Sequence, residues 1–131
     1  MTIHLQFPNG LPAFEAQHQF RLVERLESQP LLFLESESNP NLSFIVLPIA
    51  MIDPDYQLAL SADDREALGA CAESSLRCLA VITAAEDLPP TANLLAPVVV
   101  NVAAGRAVQA VRCDTIYSHK HPLLAEGASC L

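Results

Sequence analysis

The residues with the clearest capacity for chemistry stand together at His119-Lys120-His121. In an extended chain, residues i and i+2 face the same side, so His119 and His121 point one way and suit a shared metal ion. Cys113 or Asp114 would supply a third ligand, and a zinc ion held by three protein groups would make a metal-dependent hydrolase. The opposing reading takes the same residues as a polar strand end before Pro122, with solvated histidines. No helix or glycine marks the third ligand, which favours the second reading.

The other reactive residue types form no constellation. His4 and His18 lie in a turn-rich beginning and lack the spaced acid and nucleophile of a triad. Ser74 and Ser75 lack the flanking glycines of a nucleophile elbow. Four glycines in all leave no phosphate loop and no dinucleotide fingerprint. Asp53 with Asp55, and Asp63 with Asp64, are paired carboxylates. Pairs beside a turn or in a first helical turn are solvated faces more often than acid/base dyads. Neither catalysis nor a cofactor is expected. The cysteines Cys71, Cys78, Cys113 and Cys130 form no CxxC pair and no zinc-ribbon spacing, which predicts reduced thiols. Cys78 and Cys113 sit in apolar runs as small hydrophobes, and Cys130 reads as exposed.

The elements that would position these residues are short and mostly extended. Phe7 to Phe14 holds two prolines and a glycine and reads as a turn-rich loop. From Phe20 the pattern alternates over a strand of about seven residues. Leu31 to Ser36 and Leu42 to Leu47 flank Asn39-Pro40-Asn41, a turn signal, and predict a hairpin. Asp53-Pro54-Asp55 turns the chain into a short strand, Tyr56 to Leu60. Ser61 then reads as an N-cap with Asp63 and Asp64 in the first turn, and Gly69 as the stop, so one short helix is expected near residues 61–70. Arg77 to Ala84 is an apolar strand, Leu88-Pro89-Pro90 a rigid loop, and Asn93 to Val102 a long apolar run that Pro97 breaks as a bulge or edge. Ala104-Gly105 turns it into a partner, Arg106 to Cys113. The tail after Leu123 reads as loose. Strands at this spacing with one helix predict a mainly β, compact, antiparallel barrel-like fold in a single domain spanning residues 1–131.

Composition narrows the function. Half of the 131 residues are hydrophobic, which excludes a disordered chain. The apolar runs are too short and too interrupted by proline to span a bilayer as helices, and the N-terminus lacks the pattern of a signal peptide, so the cytoplasm is expected. The ten acids between Glu35 and Asp87 stand against two arginines and account for the whole net charge of −8. Such a segment repels nucleic acid and anionic lipid. It suits a basic protein partner, or serves solubility alone.

Five stretches carry a resemblance. They are FPNGLPAFE at Phe7 to Glu15, LLFLESESNPNLSFIVLP at Leu31 to Pro48, DPDY at Asp53 to Tyr56, TANLLAPVVVN at Thr91 to Asn101, and YSHKHPL at Tyr117 to Leu123. In order and spacing the chain resembles the FliW family of flagellar assembly factors from about Phe7 to Leu123. The resemblance implies a compact β-barrel-like fold and a cytoplasmic binding protein without enzymatic activity. Its implied partners are flagellin and CsrA, a basic dimeric RNA-binding repressor of flagellin translation. Flagellin that accumulates takes up the factor and frees CsrA to repress. Export of flagellin releases the factor to antagonise CsrA.

Two departures stand out. Ala13 replaces the family's glycine before Phe-Glu. Six residues precede the FPNGLP word, so the family's first hairpin is missing or shortened, which would leave an exposed sheet edge or require self-association. The candidate partner-facing residues are Glu35, Glu37, Asp53 and Asp55 as an acidic rim, and Asn93, Leu94 and Leu95 from the family's NL word. Solubility is the alternative for the acids. Packing and turn formation are the alternatives for Asn93, Leu94 and Leu95.

Overall fold

The computed structural model describes residues 2–12, 14–69, 75–85, 87–112 and 116–123. Within them the strands are β1 (Thr2–Gln6), β2 (Gln19–Glu24), β3 (Leu32–Ser36), β4 (Ser43–Pro48), β5 (Arg77–Ala85), β6 (Leu88–Asn101), β7 (Arg106–Gln109) and β8 (His121–Pro122). The α-helix among the described residues is α1 (Ala62–Leu68).

The strand order is β5-β4-β3-β2-β1-β7-β6, and β6 pairs back onto β5, so seven strands close a ring to which β8 is added beside β6. The expected mainly β barrel is therefore present. Its pairings are antiparallel except at the β1–β7 seam, which is parallel and rests on Gln6 opposite Arg106. The short N-terminal segment does not stay outside the sheet. Thr2–Gln6 pairs with β2 along its length and closes the ring at Gln6, whose N–H donates to Gly105 O at 2.8 Å.

Alternation decides which side chains enter the ring. Leu5, Phe20, Leu22, Leu34, Val46, Leu79, Val98 and Val100 all point inward and are buried. Phe7 joins them and meets Phe20 edge to face, with ring centroids 5.1 Å apart. Each such side chain contributes about 1.5–3 kcal/mol by leaving water. The loop before β2 is shaped by Gly10 at φ 66°, where an added Cβ would stand 2.5 Å from Glu15 O. Any other residue there is strained in conformation and in space.

The hairpin expected around Asn39 is present, with Leu32 opposite Val46 and Glu35 opposite Ser43. The bulge expected at Pro97 is also present. Val98 pairs with Leu79 and Asn93 with Val81, so five steps of β6 span two of β5. Asn93 Oδ1 accepts the N–H groups of Leu95 and Ala96 at 3.0 Å each, which stabilises the extra residues.

Three expectations fail. Leu88-Pro89-Pro90 begins β6 instead of forming a loop. The prolines fit because they lie at the strand's start, where a missing N–H does least harm. Tyr56 to Leu60 alternates in burial but forms no ladder. Its alternate side chains cover the outside of the sheet, so a period of two reports a one-sided environment without a strand partner. His4 belongs to β1 and not to a turn. Ala13, Ser74, Cys71, Cys113, Asp114, Cys130 and the tail 124–131 lie outside the described residues. Cys78 is a half-buried residue of β5.

Candidate functional site

The outside of the barrel carries two apolar covers. Over the second half of β6 and β7, α1 lays Ala67 and Leu68 against Val99, Val108 and Ala110. Its seven residues are too few to be stable alone. Ser61 and Asp64 form a reciprocal capping box at its start, and Gly69 ends it at φ 88°. Asn101, itself buried, donates from Nδ2 to Leu68 O at 2.8 Å and takes up a terminal carbonyl.

Over the first half of β6 the cover has no regular structure. Tyr56 and Tyr117 meet with ring centroids 4.3 Å apart. The Arg112 guanidinium lies 5.0 Å from the Tyr117 centroid and 5.9 Å from that of Tyr56, and it donates to Gln57 O. Tyr56 Oη donates to Leu94 O at 2.7 Å, and Gln57 N donates to Tyr117 Oη at 2.9 Å. Burial raises the Tyr56 hydroxyl above its usual 10.0, against the opposing pull of Arg112. This clasp ties the loop after Asp53 to the chain after β7 and covers Ile49, Ala80, Ala92 and Leu94. The sequence reading missed it, although Tyr56 and Tyr117 stand in two of the five family-like words.

The sequence-predicted residues do not converge. Glu35 lies on the outer face of β3 between two arginines, 3.1 Å from Arg25 and 3.6 Å from Arg21. Glu37 accepts from His4 Nδ1 at 2.6 Å. Asp53 Oδ1 accepts the Asp55 N–H at 3.0 Å and shapes its own turn. Asp55 is exposed. Glu35 pairs with the first residue of β4, whereas Asp53 follows its last, so the two acidic pairs sit at opposite ends of a strand roughly 17–20 Å long. Leu94 is 1% exposed, so its side chain is a core group and offers no contact surface. Asn93 and Leu95 are half-buried at the bulge.

His119 is exposed, and His121 is half-buried in β8 opposite Ala92. Among the described residues no three histidine, cysteine or carboxylate side chains stand close enough to hold a metal. Cys113 and Asp114, the third ligands considered for that pair, lie outside them. The inner end of the bulge opens instead into a cavity of about 220 Å³, with Leu34, Val81 and Val98 among its lining and His119 and Lys120 at its edge.

A closed barrel whose outer face is covered by one helix and one loop clasp is a scaffold that presents surfaces. The FliW protein family model matches residues 2–123. The flagellar assembly factor FliW of Bacillus subtilis (strain 168) is 34% identical over 125 residues, covering 95% of this chain and 86% of its own length. That of Syntrophotalea carbinolica is 33% identical over 119 residues, covering 91% and 85%. A crystal structure of the flagellar assembly factor FliW superposes with a TM-score of 0.85 at 31% identity, over 93% of this chain and 86% of that one. The chain belongs to the FliW family. These relatives are named as assembly factors and not as enzymes.

Proposed function

We propose that this chain is a flagellar assembly factor that acts in the cytoplasm, as a single domain, by binding proteins. Its partners are flagellin and the repressor CsrA, and binding CsrA relieves the repression of flagellin translation. The observation that carries this reading is family membership along nearly the whole chain. No described helix is long and apolar enough to cross a membrane, which agrees with a factor that meets its partners in solution.

The acidic segment complements a basic partner, and complementary potential speeds encounter. Asp55 and Glu37 are the exposed members of the proposed rim, and half-buried Asp53 stands two residues before Asp55. Glu35 contributes less net charge because Arg21 and Arg25 flank it. Calorimetric titration with CsrA, repeated after saturation with flagellin, tests the switch. Tight CsrA binding that flagellin abolishes supports it. Flagellin binding without CsrA binding leaves a flagellin chaperone and removes the regulatory role. CsrA binding that is unchanged between low and physiological ionic strength removes the electrostatic part.

A further inference from the structure

We propose that the open mouth of the barrel is a socket for one apolar side chain of a protein partner, an aromatic or branched residue next to a carboxylate in the same extended segment. The inference rests on the reading that this chain works by binding proteins, and it gives that reading a place.

The cavity of about 220 Å³ is walled by inward-facing residues of β3 to β7. Leu34 and Val98, both buried, form its floor. Phe14 and Phe44 stand edge to face at its side, with centroids 5.9 Å apart, and Phe14 is 40% exposed. An aromatic ring at the barrel mouth with one edge in water presents apolar surface to a visitor. An apolar void of similar size is known to take up a benzene-sized group, and the mouths of barrels are a recurrent place for ligands. The volume admits one side chain and not a folded element.

The polar groups around the mouth select what surrounds that side chain. Asn93 uses Oδ1 on the Leu95 and Ala96 N–H groups, so its Nδ2 is the end left to donate. Gln109 uses Nε2 on Ala96 O, so its Oε1 is left to accept. A donor and an acceptor on the lining of one cavity match the C=O and N–H of an extended peptide. Exposed Lys120, the chain's one lysine, and exposed His119 lie at the edge, and among the described residues the cavity lining contains no carboxylate. On a chain of net charge −8 this is a local reversal of sign, and it complements an acidic neighbour of the inserted residue.

The test is amide NMR of the full chain titrated with N-acetyl-Phe-Glu-amide, N-acetyl-Ala-Glu-amide and phenylacetate to millimolar concentration. The expected result is perturbation by the Phe-Glu peptide at Val81, Thr91, Asn93, Val98 and Gln109, with affinity for the Ala-Glu peptide lower by about tenfold or more. No perturbation of these residues by the Phe-Glu peptide overturns the proposal, and so does equal affinity for Ala-Glu. Equal or tighter binding of phenylacetate, which carries no peptide bond, gives the mouth to a free acid and also overturns it. Thr91→Trp fills the mouth and Lys120→Glu reverses its charge. Each is expected to abolish Phe-Glu binding while the remaining amide spectrum keeps its dispersion. Flagellin and CsrA that each bind the wild type and Thr91→Trp equally overturn the socket and leave the proposed function standing. Flagellin that binds neither overturns the proposed function, and the peptide titrations still decide the socket.

Discussion

The two covers on the outside of the barrel do the same work by different means. Each shields apolar side chains on one half of β6. The α1 cover satisfies its own backbone through helical hydrogen bonds and a local capping box, and needs the rest of the chain mainly for Leu68 and Asn101. The clasp has no such internal ladder. Its polar groups are satisfied across long separations, from Tyr56 to Leu94 and from Gln57 to Tyr117 and Arg112. A local cover can be lost one turn at a time, whereas a clasp fails when any one of its few side chains is removed. Coupling of this kind appears among residues that share a hydrogen-bond network.

The strongest way to break the comparison is to empty each cover. Leu94→Ala and Leu68→Ala should each cost about 2–5 kcal/mol in urea unfolding. In hydrogen exchange Leu68→Ala should loosen α1 alone, and Leu94→Ala the segments around Tyr56 and Tyr117. Loosening of both covers by either change would show that they are one unit. Arg112→Met should cost about 2–4 kcal/mol, from a charged hydrogen bond and two ring contacts, and should leave α1 protected.

Tyr56→Phe should cost about 1–2 kcal/mol by leaving Leu94 O without its donor. It also carries a pH signature. The folded chain holds the Tyr56 proton more tightly than the unfolded chain does, so the contribution is intact below pH 10.0 and is lost as pH rises through the raised folded value. Stability measured up that alkaline range should fall less steeply in Tyr56→Phe than in the wild type. The smallest effect belongs to the local cover. Ser61→Ala should cost about 1 kcal/mol by removing the cap of α1, read as a lower unfolding midpoint without change in the clasp.

Features governed by neighbouring residues were legible in the sequence. The capping residues Ser61 and Asp64, the stop at Gly69, the turn at Asn39 and the bulge at Pro97 all depend on backbone preferences that act over a few positions. The alternation of Phe20 and Leu22 likewise marked an inward face. The candidate contact residues fared differently. Leu94 carried a family-like word yet lies in the core, and Tyr56 to Leu60 alternated without pairing, because apolar periodicity reports burial and not the identity of what buries it.

The sequence by itself determined the class of fold, the place of α1 and the family, since these rest on local propensity, on the period of two and on words of adjacent residues. Only the tertiary structure decided that β1 closes the ring through Gln6, that Arg112 joins two tyrosines, that the acidic pairs lie apart, and that Asn93, His119 and Lys120 share one cavity. Each of these joins residues far apart in the chain, and such contacts are set by how the strands close, which no local pattern encodes.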